Sequence, residues 1–416
     1  MSASAQPRLA GRQPSSRWGA PGEDRAGRDP RPGKREQGVH HMSVHHLPPP
    51  ASPWPEDEPA GERQFLDIGA IDLERGGHLP DVTVAYETWG TLNAAGDNAV
   101  LVEHALTGDS HVVGEAGPGH PTAGWWQGLI GTGAPLDTDR HFVVATNVLG
   151  GCRGTTGPST AAPDGRPWGS RFPFVTIRDQ VAVESVVADR LGIQRWSAVL
   201  GGSMGGMRAL EWAVGHPDRV ARAIVLASTA AASADQIAWS HPQLLAIRSD
   251  PAFDGGDYYG GPGPIGGLGI ARRIAHLTYR SETELADRFG RRVQGAEDPL
   301  GGGGRFAVES YLDHAAGKLV GRFDANSYLV LTEAMNSHDV GRDRGGLGAA
   351  LGRVTGALVV ADVDSDRCYP PRLSDDIAAR VPGADRVTIR SGHGHDGFLI
   401  ETEQVGAIIE GALASS

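Results

Sequence analysis

The chain has 416 residues, 39% of them hydrophobic, enough for one large α/β core with an inserted subdomain or for two ordinary domains. Its 38 Lys and Arg against 50 Asp and Glu leave a net charge of -12, the wrong sign for condensing on nucleic acid or on an anionic membrane, so small-molecule partners are expected. Two cysteines, Cys152 and Cys368, form no cluster at metal-ligand spacing, and neither a long apolar span nor the apolar core of a secretory signal is present. The expectation is a cytoplasmic protein without structural metal or disulfides.

Residues 1–60 are rich in Pro, Gly, Arg and Ser and lack apolar periodicity, so they read as a disordered tail that cannot offset the entropy of ordering. The group His40, His41, His45 and His46 reads as part of a solvated tail, or as sequence upstream of a start near Met42, rather than as a metal site. From Phe65 onward, short β-branched and apolar runs predict strands at 82–88, 99–104 and 142–147. A helix at 178–191 ending at Gly192, a strand at 197–201, a helix at 204–215 ending before Pro217 and a strand at 222–227 follow.

Between about 230 and 345 this alternation gives way to helical segments broken by glycine-rich loops, the pattern of an insertion over the C-terminal edge of a sheet. Strands at 356–361 and 386–390 and a closing helix at 402–414 complete the series. The core is therefore expected from 61–229 and 346–416, with 230–345 as a helical lid or dimerisation insertion. Several strands are nearly continuous apolar runs, which predicts a mainly parallel sheet buried on both faces.

The sharpest local signal is Leu200-Gly201-Gly202-Ser203-Met204-Gly205-Gly206, which holds G-x-S-x-G between a predicted strand and a predicted helix. That is the nucleophile elbow of the α/β-hydrolase fold: the turn is so sharp that the neighbours of the serine must be small, and it lifts the Ser203 oxygen above the sheet. The amides opening the next helix point at any developing oxyanion. A second donor is expected from the loop His104-Ala105-Leu106-Thr107-Gly108-Asp109, so the backbone amides of Leu106 and Met204 are the candidate oxyanion hole. His104 precedes the nucleophile, whereas this fold runs Ser, then acid, then His, so a structural histidine is expected there.

The acid should follow a late strand, where Asp362, Asp364 and Asp366 all stand. Spacing does not choose among them; Asp366, furthest into the loop, is best able to turn back over the sheet, with Asp364 as its rival. The base should follow the last strand, in Ser391-Gly392-His393-Gly394-His395-Asp396, which offers two imidazoles and only a slight advantage to His395. The stretch Gly261-Pro262-Gly263-Pro264-Ile265-Gly266 fits G-x-G-x-x-G, but no strand precedes it and its two prolines make it a loop, so a dinucleotide cofactor is not expected.

Together these residues resemble the homoserine O-acetyltransferase family over about residues 65–414. The resemblance rests on His104 to Asp109, Asn147-Val148-Leu149-Gly150-Gly151-Cys152, Gly154-Thr155-Thr156-Gly157-Pro158, the elbow with Ala209-Leu210-Glu211-Trp212, Ala271-Arg272, Leu277-Thr278-Tyr279-Arg280, Arg322-Phe323-Asp324-Ala325, Ser365-Asp366 and Gly394-His395-Asp396-Gly397-Phe398-Leu399. It implies an acyltransferase of methionine biosynthesis that carries acetyl from acetyl-CoA, a co-substrate rather than a resident cofactor, to L-homoserine through an acyl-serine.

It further implies a Ser203-His395-Asp366 triad, Arg272 on the homoserine carboxylate, Asp396 on its ammonium, and a homodimer formed through the helical insertions. Two residues depart from the family pattern: Cys368, where leucine is commoner, and Arg208, where glutamine is frequent. The rival readings are a succinyl donor or a serine acceptor on the same scaffold, then a carboxylesterase, then a binding protein without catalysis.

Overall fold

A computed structural model describes residues 60–414. The tail predicted for residues 1–60, with its histidine group, lies outside the described residues apart from Ala60. Eight strands form one sheet: β1 (Gln64–Asp72), β2 (His78–Trp89), β3 (Ala99–Glu103), β4 (Phe142–Thr146), β5 (Ala198–Gly202), β6 (Arg222–Leu226), β7 (Ala357–Val363) and β8 (Asp385–Ile389). Their spatial order is β1-β2-β4-β3-β5-β6-β7-β8. β1 and β2 run antiparallel to their neighbours, and every other pairing is parallel.

The parallel strands are apolar because both faces are covered. Leu101, Val199, Val225 and Val360 point to one face, against Val181 and Ala188 of α1 (Ile177–Arg190) and Leu210 and Ala213 of α2 (Met204–Gly215). Their neighbours Val100, Val102, Leu200, Ile224 and Ala361 point to the other. There they meet Phe398, Val405 and Ile409, carried after β8 by the short α10 (Gly397–Ile400) and by the last helix, α11 (Thr402–Ala414).

Predicted and observed strands agree within two residues except at β1 and at the start of β2, which begins four residues before the predicted 82. β1 was not among the predicted strands: it is an exposed edge whose register slips at Gly69, so its alternation is broken. β7 runs two residues further than predicted, which places Asp362 inside the strand.

Between β6 and β7 the chain forms α3 (Ala234–Arg248), α4 (Ile265–Tyr279), α5 (Glu282–Phe289), α6 (Ala307–Val320), α7 (Ala325–Asn336) and α8 (Leu347–Leu351). A short α9 (Arg372–Ala378) then lies between β7 and β8. Leu244, Ile247, Leu268, Phe323 and Tyr328 of this region pack with Leu106, Met204 and Met207, so the inserted helices rest directly on the nucleophile elbow. Among the described residues, no helix is long and apolar enough to cross a membrane.

Candidate active site

Ser203 ends β5 and opens α2 with φ 59 and ψ -122, a conformation that side chains rarely adopt. The turn is held by three bonds: the Ser203 amide donates to the Leu226 carbonyl (3.0 Å), while its own carbonyl accepts from Met207 N (3.1 Å) and Ser228 Oγ (2.8 Å). Small neighbours are required here. A Cβ on Gly205 would sit 2.1 Å from the Glu103 carbonyl oxygen, and one on Gly201 would sit 2.6 Å from the Gly205 carbonyl carbon. The elbow is thus wedged against the end of β3, where the His104–Asp109 loop begins.

That loop is fixed from several sides. His104 is fully buried; its Nδ1 lies 2.8 Å from the Ala105 carbonyl and its Nε2 accepts from Val148 N at 3.1 Å. Burial, and next the charge of Arg208, bring its pKa down to about 3, so it stays neutral and acts as a structural residue. Arg208, on α2, donates to the His104 carbonyl (2.8 Å) and pairs with Glu103 and Glu184, each at 2.7 Å. The arginine that departs from the family pattern therefore ties the nucleophile helix to the loop carrying Leu106. Leu106 and Ser203 line the same cavity. The amide of Met204 is the first of α2, where no intrahelical carbonyl can reach it.

The three candidate acids have separate partners. Asp362 is buried and bound to Arg386 and Thr388. Asp364 accepts from Ser391 N (3.0 Å) and faces Arg390 (3.3 Å). Asp366 turns back over the sheet: its Oδ2 lies 2.7 Å from His395 Nδ1, and its Oδ1 accepts from Cys368 N (2.7 Å) and Tyr369 N (2.8 Å). His393 points elsewhere, with Nδ1 3.4 Å from Glu284. Burial alone would lower the His395 pKa, but the carboxylates of Asp366 and, more weakly, Asp396 raise it above its ordinary value.

Tyr369 has no sequence motif to mark it, yet it packs on both the acid and the base. Its ring stacks on His395 with centroids 5.0 Å apart, its amide donates to Asp366, and it lines a common cavity with Ser203.

Ser203, Leu106, His395, Arg272, Asp396 and Tyr279 line one cavity of about 180 Å³. Arg272, on α4, contacts Thr107 Oγ1 at 3.5 Å and lies 5.5 Å from the Tyr279 ring centroid, and it makes no ion pair among the described residues. Asp396 is engaged by Arg280 through Oδ2 at 3.0 Å. Burial lifts its carboxyl above its ordinary value against the pull of Arg280 and His395, so a second cation at this carboxylate would be stabilised.

One further cluster went unnoticed in the sequence because its members lie far apart: Glu87, His111 and His120 converge near the start of the sheet. His111 Nδ1 pairs with Glu87 at 3.0 Å and its Nε2 faces the Glu115 carbonyl. The two imidazoles stack with centroids 3.7 Å apart and 16° between planes. Stacked rings direct their nitrogen lone pairs in parallel rather than to one point, and His120 Nε2 already accepts from Glu62 N at 3.0 Å, so the group is built as a hydrogen-bonded His111–Glu87 pair with a stacked neighbour.

The elbow, the cavity above the sheet and the strand order define an α/β hydrolase, and the general sequence pattern of that fold matches residues 98–402. Within that class the chain belongs to the homoserine O-acetyltransferase family. It is 62% identical over 370 residues to the homoserine O-acetyltransferase of Thermobifida fusca, covering 88% of this chain and 97% of that one. The enzyme of the same name from Mycobacterium tuberculosis strain H37Ra is 56% identical over 355 residues, 85% of this chain and 93% of its own.

Among solved structures, the homoserine O-acetyltransferase from Bacillus anthracis aligns with a TM-score of 0.79 at 26% identity, covering 85% of this chain and 98% of that one. Esterase E22 aligns with a TM-score of 0.78 at 27% identity, covering 85% and 99%. The scaffold is thus shared by transferases and esterases, and the acceptor must be argued from the site.

Proposed function

We propose that this protein moves an acetyl group from acetyl-CoA to the side-chain hydroxyl of L-homoserine, a step of methionine biosynthesis, through an acyl-enzyme on Ser203. Acetyl-CoA serves as co-substrate and no cofactor stays bound. The observation that carries the reading is that a guanidinium with no ion pair among the described residues, Arg272, and a carboxylate, Asp396, line the cavity that also holds Ser203 and His395. Opposite charges at two places in one small cavity match the two ends of an amino acid, and a planar guanidinium suits a carboxylate through two parallel hydrogen bonds. Arg280 is bound through Oδ2 of Asp396, so the substrate ammonium is assigned to Oδ1.

His395, oriented by Asp366, takes the proton of Ser203 as the serine oxygen attacks the thioester carbonyl. The amides of Leu106 and Met204 receive the oxyanion; losing one such donor typically costs roughly 10² to 10³ in rate. The C–S bond breaks and the proton on His395 leaves with the thiol of CoA. Homoserine then enters, His395 takes its hydroxyl proton, and the new ester forms as the Ser203 oxygen recovers a proton. The inserted helices keep water from the acyl-serine, without which the chain would act as an esterase.

Truncating one partner of a desolvated charge pair costs about 3 to 5 kcal/mol. Arg272→Ala is therefore expected to lower kcat/KM for homoserine about 10²- to 10⁴-fold, mainly through KM, while the burst of free CoA at saturating acetyl-CoA stays near wild type. Product mass analysis with acetyl- or succinyl-CoA and with homoserine or serine completes the test. Free acetate as the main product, or an unchanged kcat/KM for homoserine in the variant, would overturn the amino-acid acceptor.

The proposal includes a homodimer joined through the inserted helices and a cytoplasmic setting, where the free thiols of Cys152 and Cys368 stay reduced. Five of the ten large hydrophobics exposed among the described residues lie on α3 and α4: Ile237, Trp239, Leu245, Ile270 and Leu277. Exposed apolar side chains gathered on the inserted helices support an interface there. Sedimentation velocity should give twice the chain mass for the wild type and the chain mass for a Leu245→Asp/Ile270→Asp double variant. A monomeric wild type at micromolar concentration would refute the interface.

A further inference from the structure

A second cavity of about 420 Å³ opens beside the Ser203 cavity and shares Thr107, Gly108, Trp125, Arg272 and Arg322 with it. Its walls carry the cations Arg272, Arg280, Arg288, Lys318 and Arg322 against one lining carboxylate, Asp109. In a chain of net charge -12, that concentration of one sign at the mouth of the site is a local reversal of the protein's field.

The cations divide into two sets. Arg280 and Arg288 are already paired with Glu284, at 3.2 and 3.5 Å, and Arg280 also with Asp396. Arg272, Lys318 and Arg322 make no ion pair among the described residues. Arg322 is held in place by its bond to the Thr107 carbonyl (2.8 Å), and burial and the charge of Arg272 bring its guanidinium down to about 10. Like charges lining one cavity with a single carboxylate among them are stabilised by an anion from outside. The homoserine carboxylate needs one guanidinium, and the exposed Arg288 on α5 and Lys318 on α6 are left without a task in acyl transfer.

We infer that this basic cavity takes the phosphate groups of the acyl donor, so that the pantetheine arm runs from Lys318 and Arg288 at the rim past Arg322 and Arg272 to Ser203. The inference rests on the reading that the donor is a CoA thioester. CoA then leaves through the cavity that held it, and homoserine enters to meet Arg272 and Asp396.

The test compares acetyl-CoA with S-acetyl-pantetheine, which has the same thioester and lacks the nucleotide phosphates. A Lys318→Ala/Arg288→Ala double variant should raise KM for acetyl-CoA about tenfold, a change equivalent to about 1.4 kcal/mol. It should leave KM for S-acetyl-pantetheine and for homoserine unchanged. Adenosine 3′,5′-bisphosphate should compete with acetyl-CoA in the wild type and lose that effect in the double variant, and added salt should raise KM for acetyl-CoA alone. Equal changes for the two donors, or no change for acetyl-CoA, would overturn the phosphate site while leaving acyl transfer intact. Absence of a thiol burst from either donor in the wild type would instead overturn the acyl-transfer reading on which the inference stands.

Discussion

Ser203→Ala is expected to abolish acetyl transfer, with kcat falling about 10⁶-fold, the scale found when the nucleophile of such a triad is removed. The loss should be this large because no other group near the site can take over. Burial pushes the Cys152 thiol up to about 11, and burial likewise raises that of Cys368, so neither supplies a thiolate at neutral pH. The strained backbone at Ser203 also belongs to the turn rather than to the hydroxyl, since its three anchoring bonds involve only main-chain atoms of residue 203. The variant should accordingly keep its unfolding free energy within about 1 kcal/mol of the wild type. Incubation with acetyl-CoA alone, followed by peptide mass analysis, should place the acetyl adduct on the peptide carrying Ser203 and show none in the variant. An adduct on a cysteine, or full activity in Ser203→Ala, would end the acyl-serine mechanism.

Asp366→Asn should lower kcat by about 10⁴, the scale reported for this change in serine triads, where it holds the imidazole in the wrong tautomer. Asp366 Oδ2 receives the Nδ1 hydrogen of His395 at 2.7 Å, leaving Nε2 free to accept the serine proton. An amide nitrogen in that place would donate to Nδ1 and force the hydrogen onto Nε2. The other oxygen keeps its bonds to Cys368 N and Tyr369 N, so the loop should hold its shape and the deficit should be chemical.

The pH profile separates this from unfolding. Asp366 raises the His395 pKa, so removing its charge lets the pKa fall. Because the base must be neutral, the acid limb of kcat/KM should then move to lower pH. An acid limb that stayed in place, with kcat near wild type, would remove Asp366 from the triad.

Much of this was legible in the residues themselves. Continuous apolar runs at Val100–Val102, Ala198–Leu200 and Ala223–Leu226 can be satisfied only by strands covered on both faces, and all lie in the parallel part of the sheet. The glycines around Ser203 marked the elbow, since a side chain at Gly205 would collide with the backbone of β3. The order of nucleophile, acid loop and histidine loop is likewise a property of the chain. β1 escaped notice because an exposed, bulged edge has no clear period.

What remained for the tertiary structure was every choice between chemically equal neighbours. Asp362, Asp364 and Asp366 are the same residue type at the end of β7 and in the loop after it, and only the packing of β7 against β8 commits the first to Arg386, the second to Ser391 and the third to His395. His393 and His395 differ in the same way, one turned to Glu284 and the other to Asp366. Tyr369, the Glu87 cluster and the basic cavity assembled from α4, α5 and α6 have no local signature at all. Local propensity and periodicity are written in near neighbours along the chain. Which side chains share a cavity, and therefore which charges lack a partner, depends on residues hundreds of positions apart meeting in space.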